Sequence, residues 1–105
     1  VADVGSSLVS GKKTVTSAGT RERLANDPSV SCLSVVIQAL ATNEGEVVVG
    51  GVTVVAAKGT HAAPERIGIA LGAGQTLAMD ISSTDAIYLD VTTSGDGVGY
   101  LAILV

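Results

Sequence analysis

The sequence predicts an all-β fold: an antiparallel β-sandwich, jelly-roll-like, with eight or nine short strands. Three observations predict it. Apolar and polar residues alternate with period 2 in several short runs, which sends one face of each run into a core and the other outward. Turn-forming residues interrupt those runs about every 8–12 residues, the spacing of sandwich strands. The apolar residues, 47% of a 105-residue chain, are mostly small or β-branched: 16 Val and 14 Ala, with no Phe and no Trp. Such side chains fill thin stacked sheets better than they fill the gaps between helices.

The length fits one domain with a genuine core. Residues 11–105 are expected to form it, behind an N-terminal arm over residues 1–10. Only 15% of the residues are charged, against a usual share of about 25%. Much of the surface must therefore be Ala, Val, Ser, Thr and Gly, which suits a chain packed against other subunits.

Taken in order, Val1 to Ser10 shows no period and holds Gly5 and three serines, an arm or first edge segment. Two short runs follow, KKTVTS and TRERLA, around Ala18-Gly19. A hairpin between them would bring Lys12 or Lys13 near Arg21 or Arg23 as one basic rim. That rim is either a solvated edge kept from aggregating by its like charges or a docking patch. Asn26 to Ser29 reads as a turn. Ser31 to Leu40 is the longest apolar run, and its imperfect alternation predicts a central strand covered on both faces.

Ala41 to Gly45 is a turn with Asn and Gly available for positive φ. Glu46 to Gly50 reads as a strand, broken at Gly50-Gly51 by a bulge or corner and resumed over Val52 to Ala56. Ala57 to Pro64 is a loop carrying the single histidine, His61. Arg66 to Leu71 is a short strand ending at the turn Gly72-Ala73-Gly74. Leu71 to Asp90 is predicted to be a hairpin around Ser82-Ser83-Thr84-Asp85. Its first run directs Leu77, Met79 and Ile81 to one side, and its second alternates Ile87, Leu89 and Val91 with Tyr88 and Asp90. Thr92 to Gly97 reads as an exposed, flexible turn. Val98 to Val105 is the closing strand, where Tyr100, Ala102 and Leu104 alternate with Leu101, Ile103 and Val105.

Candidate chemistry is sparse. One His and one Cys far apart cannot make a zinc set. Cys32, between apolar neighbours, reads as a small buried residue, and His61 as an exposed loop side chain. Asp80, Asp85 and Asp90 recur at a spacing of five. A hairpin would put Asp80 and Asp90 on one outer face, where they are either a calcium or acid–base pair or plain solvent-facing positions beside a turn aspartate. Gly72 to Thr76 lacks the Lys of a phosphate loop and the helix that would follow it. No serine sits in a nucleophile elbow. The expectation is no enzyme, no cofactor and no metal site. A net charge of −4 argues against nucleic acid as a partner. No apolar run approaches the roughly 18 residues of a membrane span, no signal peptide is visible, and the opening Val1 in place of Met is consistent with processing. The chain is expected to fold in cytoplasm.

Three segments together resemble small structural proteins of tailed bacteriophages: GKKTVTSAGTRERLA, SVVIQALATNEGEVVVGG and LGAGQTLAMDISSTDAIYLDVTTSGDGVGYLAIL. The likeness covers about Gly11 to Val105 and lies in structural motifs, with Ala73 where a Pro is expected before the closing segment. It implies a β-sandwich of the virion, and in particular a capsid decoration (cement) protein made in the host bacterial cytoplasm. It further implies the major capsid protein as partner and a homo-trimer on the head surface. On this expectation Lys12, Lys13, Arg21 and Arg23, with the arm, contact an acidic capsid surface. Two alternatives belong to other classes: a head-fibre or tail-tip knob that binds a receptor or glycan through its loops, and a toxin-like sandwich with calcium at Asp80 and Asp90.

Overall fold

A computed structural model describes residues 7–24, 32–56 and 67–104. The described chain forms eight strands: β1 (Ser7–Thr14), β2 (Glu22–Arg23), β3 (Ser34–Ala39), β4 (Val47–Gly50), β5 (Ile69–Leu71), β6 (Thr76–Met79), β7 (Tyr88–Val91) and β8 (Gly97–Leu104). The helical content among the described residues is one 3-10 turn, Thr84–Ala86. Two antiparallel sheets result, with strand orders β1-β8-β3-β6 and β2-β7-β4-β5.

The pairing has a simple origin. β1 pairs with β8, β2 with β7, β3 with β6 and β4 with β5. A long antiparallel ribbon with these rungs, wrapped until β8 also meets β3 and β7 also meets β4, gives the two observed sheets. That wrap is a jelly roll. It buries one face of each strand in a common core, since Val35, Ile37, Ala39, Val98 and Ala102 meet Val47, Val49, Leu71, Leu89 and Val91.

The predicted Leu71–Asp90 hairpin does not form. β6 pairs with β3 in one sheet and β7 with β2 and β4 in the other. Alternation reports which side of a strand is buried, and here both runs bury that side in the same core: Leu77, Met79 and Ile81 with Ile87, Leu89 and Val91. A hairpin and a crossover between stacked sheets satisfy the pattern equally, and the 3-10 turn carries the chain across. The predicted KKTVTS/TRERLA hairpin is corrected in the same way, because β1 and β2 are edge strands of opposite sheets.

Val52 to Ala56 is not a resumed strand. It turns at Gly51, whose carbonyl accepts the Val54 N–H, and makes one bridge, Val55 to Ile67. From there it folds over the outer side of β4. Val48, Val54 and Ala56 form a second small core there, with Ala70 and Tyr88 against it. This explains why β4 is buried on both faces, the coverage that the sequence suggested for β3. β3 instead alternates, with Val35, Ile37 and Ala39 buried and Gln38 exposed. The turn at Asn26 to Ser29 and the Ala57–Pro64 loop with His61 lie outside the described residues. β1 starts at Ser7, inside the span expected to be an arm, because Ser7 to Ser10 pair with Leu104 to Leu101.

Candidate functional site

The loops at one end of the sandwich are tied together. Asp96 accepts the backbone N–H groups of Glu44 at 3.1 Å and Gly45 at 2.8 Å. Asn43 exchanges two hydrogen bonds with the backbone of Gly97, 2.8 and 3.0 Å. Ser94 accepts from Ala18, and Gly95 donates to Val15. The Thr92–Gly97 turn, expected to be exposed and flexible, is exposed at Ser94 and Gly95, half-buried at Thr92 and Thr93 and buried at Asp96 and Gly97. The side chains of Thr92, Ser94 and Asp96 serve as acceptors for backbone N–H groups of neighbouring loops.

The three spaced aspartates do not share a face. Asp90 is 1% exposed. It points to the outer side of β7, where the Val54–Ala56 segment covers it, and accepts N–H groups from Gly19 and Ala56. Asp80 follows β6 and is exposed, and Asp85 accepts from the Ser83 hydroxyl in the 3-10 turn. The solvent-facing or calcium-pair alternatives for Asp90 are both corrected: it is a structural carboxylate. Among the described residues, no group of three or more His, Cys, Asp or Glu side chains could hold a metal ion. Cys32 is buried, its Sγ donates to the Ile81 carbonyl at 3.1 Å, and burial pushes its thiol pKa up.

The four basic residues singled out in the sequence all lie on one flank of the sandwich, on β1, β2 and their connection. They are also all of the Lys and Arg residues among the described ones. Two are engaged. Lys13 Nζ is 2.8 Å from Glu22 Oε1, while Glu22 Oε2 accepts the Thr16 N–H. Arg23 Nε donates to the Tyr88 hydroxyl at 2.7 Å, with its guanidinium carbon 5.5 Å from the ring centre. Lys12 and Arg21 are exposed. The other described carboxylates, Glu44, Glu46, Asp80, Asp85, Asp90 and Asp96, lie outside Ser7–Leu24. The four described cations thus gather on one flank, alongside Glu22 and with Asp85 close enough to Arg23 to act on its charge, and they do so because two edge strands stack and not because of a hairpin.

A second surface was missed in the sequence. The outer face of the β1-β8-β3-β6 sheet is a grid of short rows set by the strand registers. One row runs Leu8, Ile103 and Ser34, the next Ser10, Leu101, Val36 and Ala78, and the third Lys12, Gly99, Gln38 and Thr76. Asp80, one residue past Met79, extends the first row beside Ser34. Leu8 is 62% and Leu101 42% exposed. A depression of about 320 Å³ opens over Gly99, lined by Gly11, Val36, Gln38, Thr76, Tyr100 and Leu101. The signal was present in the closing strand, where Leu101 and Ile103 make the alternate face as apolar as Tyr100, Ala102 and Leu104. A strand apolar on both faces calls for cover on both. The outer side of the other sheet has such cover, from Val54 to Ala56.

Comparison of the chain with protein-family models, with characterised proteins and with solved structures found no match.

Proposed function

We propose that this jelly roll is a capsid decoration (cement) protein of a tailed bacteriophage: a virion structural protein without catalytic activity, made in the host bacterial cytoplasm, that binds the assembled head. The supporting observation is the cationic flank. Lys12, Lys13, Arg21 and Arg23 lie together on the β1/β2 side of a chain whose net charge is −4. Such a surface recognises an acidic neighbour and turns the acidic remainder of the molecule away from it. The resemblance of the segments quoted above to phage structural proteins supports the major capsid protein as that neighbour.

The energetics of the role need no active site. A protein that binds the assembled lattice but not the dissociated subunits shifts the assembly equilibrium by mass action, by RT ln(1 + [L]/Kd) for each site. What the chain must supply is a stable fold and a complementary surface.

The test is to mix the purified protein with undecorated, expanded phage heads and image them by electron cryo-microscopy. The expected result is ordered density at symmetry-related capsid positions, occupancy that falls with added salt, and weaker occupancy for Arg21→Glu. Naked heads at saturating protein, or decoration indifferent to Arg21→Glu at every salt concentration, would overturn the proposal. Density confined to the tail or fibres of intact virions would transfer the role to a knob of those structures.

A further inference from the structure

We infer that the outer face of the β1-β8-β3-β6 sheet binds a second copy of this chain, face to face, about a two-fold axis lying in the face. The inference rests on the layout of charge and apolar side chains on that face and does not depend on capsid decoration: in the pair Lys12 turns to the second copy, while Lys13, Arg21 and Arg23 stay on the flank.

Among the described residues, the face carries two charges, at opposite corners. Lys12 closes the third row on the β1 edge, and Asp80 closes the first row on the β6 edge, and both are exposed. Strands stand about 4.8 Å apart and alternate residues of a strand about 6.8 Å apart. Three strand intervals and two row intervals are then each about 14 Å, so the grid is nearly square. A two-fold axis along the diagonal from Leu8 to Thr76 maps a square onto itself and exchanges the other two corners. Lys12 of each copy then meets Asp80 of the other. Such an interface is isologous, with every contact made twice.

The same operation places the remaining side chains consistently. Leu8 lies on the axis and meets its counterpart, while Leu101 and Val36 flank the axis at the centre. Ala78 of the second copy falls over Gly99, where the depression leaves room for it: a Cβ at Gly99 would have a single neighbour, the Gly11 carbonyl oxygen at 3.9 Å. A diagonal axis makes the strands of the two copies cross near 90°, one of the two packing angles that sheets adopt. Away from the Lys12 and Asp80 corners the described residues of the face are uncharged, so they oppose no like charges when two copies meet there.

The pair should be weak. A grid of about 14 Å on a side, widened by its side chains, covers roughly 500 Å² per copy, or about 1,000 Å² in all, at the low end of specific interfaces. Contacts of that size belong with weak, transient association, so the pairing is sought between micromolar and millimolar concentrations. The two-fold pair takes the place of the homo-trimer implied by the phage resemblance, and mass alone separates the two.

The experiment is sedimentation equilibrium on the intact chain from about 5 µM to about 1 mM, spanning that range. The expected result is a reversible monomer–dimer equilibrium. Lys12→Glu and Asp80→Lys should each weaken it about tenfold or more, and the double variant Lys12→Glu/Asp80→Lys should restore it to within about threefold, because only the direction of the ion pairs is reversed. Leu101→Glu, which puts two like charges beside the axis, should abolish pairing while circular dichroism remains that of the parent. A monomer throughout, a trimer, a dimer indifferent to the single reversals, or a double variant no better than the singles would each overturn the inference.

Discussion

The carboxylate of Asp90 accepts the backbone N–H of Gly19 at 2.9 Å, joining β7 to the connection between β1 and β2, 71 residues away in the chain. Gly19 sits at φ +88°, a conformation that a side chain disfavours, and this turns its N–H toward the carboxylate. The other Asp90 oxygen accepts the Ala56 N–H at 2.9 Å, and the first also accepts the N–H of Val91. One side chain thus satisfies backbone donors from two irregular segments that lie outside the eight strands. This is the role in which a buried charge is tolerated, fully hydrogen-bonded and close to the donors it neutralises.

Asp90→Asn preserves shape and removes that capacity. The new amide oxygen can keep the Gly19 and Val91 bonds, but the amide nitrogen is a donor facing the Ala56 N–H. The loss should cost about 2–4 kcal/mol, because a charge-assisted bond becomes a donor–donor contact in a buried site. At this chain length the melting temperature should fall by about 10 °C or more. Thermal unfolding followed by circular dichroism measures it, and a fall below about 2 °C would show that Val54–Ala56 is held by other contacts.

Two glycines of β8 should respond in opposite ways to the same added methyl. Gly97 pairs with Thr14, and a Cβ there would strike the Lys13 carbonyl oxygen and lie 2.7 Å from the Thr14 Cα. Both obstacles are backbone, so Gly97→Ala must push β1 away from β8 and should cost about 2–4 kcal/mol, the upper range for overpacking. Gly99, two residues on, faces open space. Gly99→Ala should be neutral or stabilising by about 0.5 kcal/mol, through the reduced freedom of the unfolded chain. Urea unfolding of the two variants side by side tests the register of β1 on β8. Equal effects would mean that the two strands are not paired as described.

The sequence made the fold class and nearly every strand legible, because burial of one face leaves a period-2 record. It left the partners illegible for the same reason: the Leu77 and Leu89 runs bury the same side whether they pair or stack. Asp90 looked like an outward strand position, and it does point outward from its sheet. Its burial depends on Val54 to Ala56 folding across that side, a tertiary event with no local signature. Lys13 and Glu22 were read as members of separate runs, and their contact is likewise a product of stacking β1 on β2. The outer face of the other sheet could have been found, since Leu101 and Ile103 are too apolar for solvated positions. Gly99 and Val36 join them only once the register is known.

The Lys13–Glu22 contact gives a pH dependence whose sign is fixed. The Lys13 ammonium hydrogen-bonded to Glu22, and secondarily the Thr16 N–H, hold the Glu22 pKa below its ordinary value of 4.5. A carboxylate with a depressed folded-state pKa contributes stability that is fully present above its unfolded value and lost as pH falls through the folded one. The pair is partly exposed at the sandwich flank, with side chains 23% and 28% accessible, so the contribution is modest, about 1 kcal/mol. Glu22→Gln should therefore be less stable than the parent by about that amount near pH 7, with the gap narrowing below about pH 4.5 and closing as the parent carboxylate protonates. Added salt at neutral pH should also narrow the gap, since the ions are accessible to screening. Urea midpoints for parent and variant across this range supply the measurement. A gap that stays constant down to about pH 2.5 would mean that the charge of Glu22 contributes nothing and that the glutamine keeps whatever the side chain does.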